Sequence, residues 1–426
     1  MERPQGDIII IGAGVAGLLL AQHLQKSNIP FRIFERDADL TTRGVGWGLT
    51  LHWSLPALRD LLPDDLFRRL PEVYVDRVAV ERAEATRFPF YDLSTGELKA
   101  ATPPAPESQR IRVARDRFRQ LLASGINIQW AKAATNIESR DDKDGATVHF
   151  ADGTSSSGKL IVACDGGKSR VRKALFPNRE TYKIPIRVMG ARVEYTPDEI
   201  QPIKKLDPVF LQGTASKNDT YVYFSILDAP GNNTPGNNGT YIGQVIISWP
   251  IRDGFFGRES GVPFPKTNKG GIELIKTFAS TWAEPFRSLA ASISPETEIK
   301  YLELYDWVPP RVPQDTGNVA LVGDAFHPMS MYRGEGANHA ILDVLDFVHI
   351  VLPHVDVSTQ SGDGDTQSLH TAIEKYAETV TARARPAVLA SRQACLDAHD
   401  WPSISGESPL LSRRAMQLDF DDSAFD

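Results

Sequence analysis

The first forty residues alternate short apolar runs with a segment of helical periodicity. Ile8 to Ile11 is a continuous β-branched run, which predicts a strand covered on both faces. From Val15 to Gln25 the apolar residues recur at helical spacing, and Phe31 to Phe34 form a second short apolar run. The pattern therefore predicts a buried strand, a helix and a second strand in direct succession.

The turn between that first strand and the helix carries three glycines, Gly12, Gly14 and Gly17. Their spacing would let a diphosphate approach the backbone and meet the N–H groups at the start of the helix. The second strand ends on Glu35, close to where the dinucleotide fingerprint has a carboxylate for ribose hydroxyls. A buried strand and helix joined by a plain glycine turn is the alternative, but all four features in one register favour a nucleotide site.

Two later segments repeat the order of strand, glycine turn, acid and helix. In "LIVACDGGKSRVRKAL", Asp165 follows an apolar strand and Ser169 starts a helix. In "NVALVGDAFHP", Asp324 again follows a strand, and the next helix begins near Gly336. Each alone is compatible with a structural turn whose Asp caps a helix. Three such turns, spread along the chain, favour one long cofactor that lies across several strand ends.

Composition excludes several classes of partner. The formal net charge of −7 argues against nucleic acid, because a phosphate-binding surface carries excess Lys and Arg. The two cysteines, Cys164 and Cys395, can form neither a disulfide framework nor a zinc site, so we expect no metal and a reducing, cytoplasmic location. We expect no membrane span, since the apolar run near the start is too short to cross a bilayer.

In order and spacing, the three segments resemble the nucleotide fingerprint, the "DG" motif and the "GD" motif of FAD-dependent, single-component aromatic hydroxylases. These are the p-hydroxybenzoate and salicylate hydroxylase-like class A flavin monooxygenases. The resemblance implies an α/β fold with a Rossmann-like FAD-binding domain of the glutathione-reductase type, an interleaved β-sheet substrate domain and C-terminal helices. The expected boundaries are 1–175 for the FAD domain, with about 70–110 on the substrate side, 176–300 for the strand-rich substrate domain, 301–352 for the return to the FAD domain, and 353–426 for a C-terminal helix and acidic tail.

The resemblance also implies a tightly, non-covalently bound FAD and the residues that hold it. The first glycine turn would bind the diphosphate and Glu35 the adenosine ribose, while Asp165 would lie where FAD meets the nicotinamide. Asp324 would bond the ribityl hydroxyls, and Arg115 would reach the phosphates or ribityl chain unless it is a plain helix-surface charge. A helix N-terminus would face the flavin N1–C2=O edge, since its dipole stabilises the anionic reduced ring. The expected cofactor-binding residues are Gly12, Gly14, Gly17, Glu35, Arg36, Gly48, Arg115, Asp165, Asp324, Gly336, Ala337 and Asn338.

For the reaction, the resemblance implies that NADPH or NADH, a transient co-substrate that the sequence does not distinguish, reduces FAD and that oxygen then forms a flavin C4a-hydroperoxide. That species would hydroxylate or epoxidise an electron-rich aromatic or an indole- or polyketide-type small molecule. A looser likeness to fungal tailoring enzymes indicates secondary metabolism. The alternatives are a flavin-dependent reductase or dehydrogenase on the same fold, and a non-catalytic flavin-binding protein.

Three residues are candidates for acting on the substrate. Met331 stands where the family usually has proline beside the reacting face of the flavin, so this departure affects substrate identity rather than flavin binding. Tyr223 alternates with apolar positions in "TYVYFSIL" and faces either solvent or a pocket. Arg192 shares one strand face with Gly190 and Glu194 and would line the cavity, unless it forms a surface pair with Glu194.

Overall fold

The computed structural model describes residues 8–42, 46–139, 145–355, 364–418 and 420–421. The end of the expected acidic tail, 422–426, lies outside the described residues. The strands are β1 (Ile8–Ile11), β2 (Phe31–Phe34), β3 (Gly48–Leu51), β4 (Phe90–Asp92), β5 (Leu98–Ala100), β6 (Ile111–Ala114), β7 (Ile128–Gln129), β8 (Ala134–Ser139), β9 (Ala146–Phe150), β10 (Ser155–Gly158), β11 (Leu160–Ala163), β12 (Tyr182–Tyr195), β13 (Phe210–Thr214), β14 (Tyr221–Asp228), β15 (Tyr241–Pro250), β16 (Ile299–Asp306) and β17 (Val319–Leu321). The α-helices are α1 (Val15–Lys26), α2 (Leu55–Leu61), α3 (Asp64–Arg68), α4 (Arg77–Glu81), α5 (Arg115–Leu122), α6 (Arg170–Leu175), α7 (Pro197–Lys204), α8 (Asn268–Ala279), α9 (Phe286–Ala291), α10 (Gly336–Ile350) and α11 (Gly364–Asp397).

A parallel sheet with the strand order β17–β11–β1–β2–β7 forms the first layer. Its central strand, β1, consists of four buried isoleucines, as a strand covered on both faces requires. Helices α1 and α10 pack against each other beside this sheet. Because the strands are parallel, the carboxyl ends of β1, β2, β11 and β17 meet at one edge, where open α/β sheets bind ligands. The predicted α/β fold with a Rossmann-like domain is confirmed.

A seven-stranded sheet with the order β16–β12–β15–β14–β13–β4–β5 forms the second layer. It is antiparallel except between β13 and β4. Strand β12 alternates buried and exposed residues towards its end, because one face packs into a core that includes side chains of α7, α8 and α9. The sheet takes strands from outside 176–300, since β4 and β5 precede that range and β16 continues to Asp306.

Smaller elements connect the two layers. Strands β3 and β6 pair antiparallel, and β14 passes close to both of them. Strands β8, β9 and β10 form a separate antiparallel sheet. The long helix α11 contains Pro386 and contacts β17, α10 and β12, so it joins both layers. Within the described ranges, no helix has both the length and the apolar character needed to cross a bilayer.

Candidate active site

One cavity of about 530 Å³ extends from the edge of the parallel sheet to the inner face of the seven-stranded sheet. Its first end is lined by residues of the three glycine turns and by the start of α10, and we call it the turn end. The opposite side is formed by side chains of the seven-stranded sheet, and we call it the sheet wall. The sheet wall consists of Gln212, Tyr221, Tyr223, Gln244 and Ile246. The structure thus brings the three turns together in one space.

The three glycines of the first turn have different structural roles. Gly12 has a φ of +103°, and a Cβ there would lie 2.4 Å from the carbonyl oxygen of Cys164. A Cβ on Gly17 would lie 2.0 Å from the carbonyl oxygen of Gly12, so Gly17 allows α1 to start close to the turn rather than lining the cavity. Gly14 lines the cavity, and its Cβ position has no atom within 4 Å. Gly14 therefore leaves open space beside the N-terminus of α1, where a diphosphate fits.

The acid at the end of β2 is fixed by backbone groups and by an arginine. The Glu35 carboxylate is buried and accepts N–H bonds from Ala13 at 2.7 Å and Asp37 at 3.1 Å. Arg119 donates to the Ala13 carbonyl oxygen at 2.8 Å and to Asp37 at 3.2 Å, and lies 3.6 Å from Glu35. Arg36 is exposed and lines the cavity. The sequence analysis did not predict Arg119. A charged residue on the apolar, buried face of α5 indicates such a buried partner for an acid.

The second turn places Asp165 at the carboxyl end of β11. One carboxylate oxygen accepts the backbone N–H of Arg170 at 2.9 Å, at the start of α6. The other oxygen, Oδ1, is buried and has no hydrogen-bond partner among the described residues. Burial raises the pKa of Asp165, and hydrogen bonds from Ser169 and backbone groups oppose the increase. A buried carboxylate oxygen beside the cavity is a group that a hydroxyl or N–H donor of a ligand would satisfy.

The third turn presents Asp324, which is exposed where it lines the cavity. Partial loss of hydration inside the cavity raises the pKa of the Asp324 carboxyl. The nearby His327 is the largest influence that opposes this increase. Arg172 joins the second and third turns, because it donates to the carbonyl oxygens of Gly167 at 2.6 Å, Ala325 at 2.8 Å and Asp324 at 3.1 Å. The two turns are therefore held in a fixed relation by one side chain.

A buried ionic network lies behind the third turn. Asp343, on α10, accepts the N–H of Gly323 at 2.8 Å and lies 2.6 Å from His327 Nε2. Arg383, on α11, forms an ion pair with Asp343 at 2.5 Å. Although burial opposes ionisation, His327 and Arg383 lower the pKa of Asp343 to about 2. A permanent negative charge therefore anchors the turn from α10, independently of any ligand.

The start of α10 reaches the cavity through Gly336 and Ala337, which both line it. Asn338 is fully buried and its side chain does not line the cavity. The side-chain oxygen of Asn338 accepts from Ser54 Oγ at 2.8 Å, and its nitrogen donates to the Thr50 carbonyl oxygen at 2.9 Å. The side-chain amide thus ties α10 to β3. The backbone N–H of Asn338 is one of the groups at the start of α10 that have no acceptor within the helix.

Arg115 and Gly48 lie where β3 and β6 meet the cavity. Arg115 is half-buried, lines the cavity, and begins α5, and its N–H donates to the Trp47 carbonyl oxygen at 3.1 Å. Gly48 opens β3 and donates to Gln244 Oε1 at 3.0 Å. A Cβ on Gly48 would lie 2.5 Å from Nη2 of Arg112, so the glycine makes room for that guanidinium.

The sheet wall is polar at its centre. The Tyr221 hydroxyl donates to Gln212 Oε1 at 2.8 Å, and both residues are buried. Tyr223 is half-buried and also lines the cavity, so it faces a pocket rather than open solvent. Burial raises the pKa of both tyrosines, so their hydroxyls stay neutral near neutral pH.

Met331 also lines the cavity, in a short turn that the C-terminal segment holds in place. Its side chain is 37% exposed, whereas Tyr332 and Arg333 beside it are buried. The Tyr332 hydroxyl donates to Ser248 Oγ at 2.7 Å. Arg333 forms an ion pair with Glu335 at 2.7 Å and also donates to the C-terminal segment. The turn carrying Met331 is therefore fixed between the sheet and the C-terminal segment.

Arg192 lies outside the cavity lining. It pairs in register with Gln244, which does line the cavity, but its own side chain is exposed. Gly190, on the same face, packs against Trp47, whose ring would lie 2.4 Å from an added Cβ. Glu194 accepts from Thr240 at 2.6 Å rather than pairing with Arg192. The alternation of β12 predicts this face, but Arg192 is not among the residues that line the cavity, although its cross-strand partner Gln244 is. A role of Arg192 towards the substrate stays a prediction.

Comparison with known proteins gives a consistent set of relatives. A family model described as an FAD binding domain matches residues 5–200. A probable FAD-dependent monooxygenase of Arthroderma benhamiae is 42% identical over 426 residues, covering 97% of this chain and 96% of that protein. An FAD-dependent monooxygenase of Emericella nidulans is 36% identical over 348 residues, covering 80% of this chain and 85% of that protein. A salicylate hydroxylase solved as a substrate complex has a TM-score of 0.67 at 18% identity, covering 96% of this chain and 93% of that chain, and it shows the fold alone.

Proposed function

Since this chain belongs to the family of FAD-dependent monooxygenases, we propose that it uses NADPH or NADH and molecular oxygen to hydroxylate or epoxidise an electron-rich aromatic, indole- or polyketide-type small molecule. The observation that carries this proposal is the single cavity in which three glycine turns face a wall of tyrosine and glutamine side chains. A cofactor at the turn end would place its reactive ring within reach of a substrate on the wall.

The residues at the turn end fit FAD. The open space at Gly14 suits the diphosphate, and the unsatisfied Oδ1 of Asp165 suits a donor group of the cofactor. Asp324 offers a carboxylate to the ribityl hydroxyls, and Arg115 and Arg36 offer positive charge along the cavity. The first N–H groups of α10 would stabilise negative charge on the reduced ring.

Bound FAD would supply the redox chemistry, passing two electrons from the nicotinamide to oxygen. In the balanced reaction, NAD(P)H, a proton, oxygen and substrate give NAD(P)⁺, water and a product that has gained one oxygen atom. The protein must orient the substrate and exclude water from the reacting atoms. We propose Tyr223 as a hydrogen-bond donor to the substrate and Met331 as the apolar wall opposite it. Arg192 would act at the edge of the cavity, next to Gln244.

Labelled oxygen tests the reaction directly. Purified holoenzyme is incubated with NADPH or NADH, oxygen-18 gas, and 1,3-dihydroxynaphthalene, resorcinol or indole as probes, and the products are analysed by mass spectrometry. One labelled oxygen atom in the product supports a monooxygenase. Nicotinamide oxidation that gives a reduced, unlabelled product would instead identify a reductase, and a flavin that the nicotinamide never reduces would identify a non-catalytic flavoprotein.

Arg192→Gln tests the edge residue separately. A lower rate of product formation, with normal FAD content and normal NADPH oxidation in the absence of substrate, supports a role for Arg192. Unchanged product rate and coupling would remove it from the site.

The two buried free thiols, Cys164 and Cys395, are consistent with a reducing compartment, and we propose the cytoplasm.

A further inference from the structure

A second cavity lies next to the active-site cavity that joins the turn end and the sheet wall. It has a volume of about 530 Å³ and lies between α4, the segments 83–86 and 104–108, and the first residues of β6 and β13. Its outer rim is formed by exposed residues of those two segments. Its inner end is formed by Arg112 and Phe210, which are only 8% and 1% exposed. We call this cavity the side pocket.

Side chains alone separate the inner end of the side pocket from the active-site cavity at one place. Arg112 lines both cavities. The ring of Phe210 packs against Phe88 and Tyr223, which both line the active-site cavity, and the ring centroids are 4.6 and 6.4 Å apart. The guanidinium of Arg112 lies 5.7 Å from the centroid of Phe210. The partition is therefore one side chain thick at Arg112 and two rings thick at Phe210.

The two side chains of the partition are held in different ways. Arg112 donates from Nη1 to Thr50 Oγ1 at 2.7 Å and from Nη2 to Ser225 Oγ at 2.8 Å. The backbone N–H of Phe210 donates to Asp207 at 3.1 Å, but its ring is held by contacts with other side chains only. A rotation of the ring into the side pocket therefore breaks no hydrogen bond, whereas a movement of Arg112 breaks two buried ones.

The active-site cavity opens to solvent on the side away from this partition. Its exposed lining residues lie in or beside the three strand-to-helix turns, or in the short turn that carries Met331 and Gly334. The residues of the sheet wall, by contrast, are buried or half-buried. FAD at the turn end would occupy most of that opening, so a substrate needs another way to the sheet wall.

Resting on the proposed function, we propose that the side pocket is the route by which an uncharged, apolar aromatic substrate reaches the sheet wall, and that the ring of Phe210 opens this route. The walls between the rim and the inner end suit such a molecule, because they include the apolar side chains of Val75, Val80, Ala85 and Val209. The same route lets the oxygenated product leave while FAD stays bound.

A reporter thiol on the sheet wall tests the route without any turnover. Ile246 lines the active-site cavity, is 3% exposed and does not line the side pocket, so Ile246→Cys places the thiol beyond the partition. The FAD-loaded variant is treated with N-phenylmaleimide, an uncharged aromatic reagent that alkylates thiols. Peptide mass spectrometry gives the alkylation rate at position 246 separately from those at Cys164 and Cys395.

Tryptophan substitutions then close the side pocket from two opposite walls. Ala85 and Ala105 are both half-buried and line the side pocket, so Ala85→Trp and Ala105→Trp fill it without displacing core side chains. Each should slow alkylation at position 246 by about tenfold or more, because the thiol then reacts only through rare local opening of the fold. Ala101→Trp is the matched control, since Ala101 is also half-buried but lines neither cavity, and it should react at the parent rate.

The role of the Phe210 ring is tested in the same assay. Phe210→Leu keeps an apolar side chain but removes the ring, and should accelerate alkylation of the reporter thiol. The acceleration should disappear when Ala85→Trp is added. If it persists in that double variant, the substitution has loosened the fold in general, and Phe210 does not open the route.

Three results would overturn the inference. Equal alkylation rates in the two side-pocket variants and in Ala101→Trp would do so, and this comparison holds even if Phe210→Leu fails to fold. Slow alkylation in Met331→Trp, with normal rates in both side-pocket variants, would place the route at the turn of Met331. A reporter thiol that never reacts in the FAD-loaded parent would show that no route is open while FAD is bound. Because alkylation needs neither nicotinamide nor oxygen, a failure of the monooxygenase reaction would appear separately, in the labelled-oxygen experiment.

Discussion

The two ends of the cavity differ in how many of their buried charges form ion pairs. At the turn end, several buried charges are paired with each other, as Arg119 is with Asp37 and Arg383 with Asp343, while Arg172 donates to backbone carbonyl oxygens. Beside the sheet wall, Arg112 on β6 hydrogen-bonds to the hydroxyl groups of Thr50 and Ser225 and has no acidic partner among the described residues. Paired networks fix geometry before a ligand arrives, whereas a buried charge without an ion-pair partner is a candidate for contact with a ligand. On this basis we propose that the turn end holds the cofactor and that the sheet wall contacts the substrate.

The largest expected effect comes from breaking the network behind the turn end. Asp343→Asn removes the charge that faces His327 and Arg383, and should lower the free energy of unfolding by about 3–5 kcal/mol because Arg383 loses the fully buried one of its two carboxylate partners. Thermal and urea unfolding measure the loss. Asp346→Asn is the control, since Asp346 also pairs with Arg383 but is partly exposed, and should cost about 1 kcal/mol or less. Equal losses in both variants would contradict the idea of a pre-formed turn end.

The second prediction separates the cofactor role of the turns from their structural role. Gly14→Val should fold normally but lose FAD, because its side chain occupies open space at the cavity rather than protein. Gly17→Val should instead destabilise the fold, since its Cβ meets the Gly12 carbonyl oxygen.

Asp324→Ala should weaken FAD binding about 10–100-fold through the loss of a charged hydrogen bond. Flavin absorbance per protein and thermal unfolding of the apoprotein are the measurements, and full flavin content in both Gly14→Val and Asp324→Ala would refute the assignment.

The third prediction concerns the back of the sheet wall, where His399 lies 2.8 Å from Ser248 Oγ. Burial lowers the pKa of His399 to about 4, below the value of about 6.5 expected in the unfolded chain. Between these two pH values the unfolded chain therefore binds more protons than the folded chain. The free energy of unfolding should fall as pH decreases from about 6.5 to about 4, and this histidine contributes at most about 1.4 kcal/mol per pH unit. His399→Gln should flatten that slope in urea unfolding, whereas His149→Gln, on a partly exposed strand position, should not. An unchanged slope in His399→Gln would show that the ring is protonated in the fold.

The smallest effect is expected at Met331, in the turn that precedes α10. Met331→Pro should retain FAD, because the Met331 side chain is apolar and offers no hydrogen bond to the cofactor, but it should change the fraction of NADPH oxidation that yields product instead of hydrogen peroxide. Met331→Leu, which nearly conserves the volume, should leave that fraction close to wild type. Oxygen consumption with and without catalase gives the ratio. Identical coupling in the proline variant would place Met331 outside the reacting part of the cavity.

The sequence predicted the turn end in considerable detail. Gly14, Asp165 and Asp324 each occupy a strand-to-helix turn that is local in sequence, and the structure brings all three to one cavity. The sequence did not show the structural roles of Asn338 and Gly48. The Asn338 side chain ties α10 to β3, and Gly48 makes room for Arg112. Local pattern identifies where a turn occurs, but it does not show which distant side chain the turn must accommodate.

The sequence by itself determined the alternation of strands and helices, the α/β class and the three turns, because each depends on residues that are neighbours in the chain. The tertiary structure decided the sheet wall. Arg112 comes from β6, Tyr223 from β14 and Gln244 from β15, and they line one cavity only because the strands of two sheets pack in a particular register. Strand alternation gave the face of Arg192 but not its position relative to the cavity, which Gln244 and Trp47 line and Arg192 does not. Backbone turns follow from local conformational preference, whereas the position of a side chain relative to a cavity follows from long-range packing.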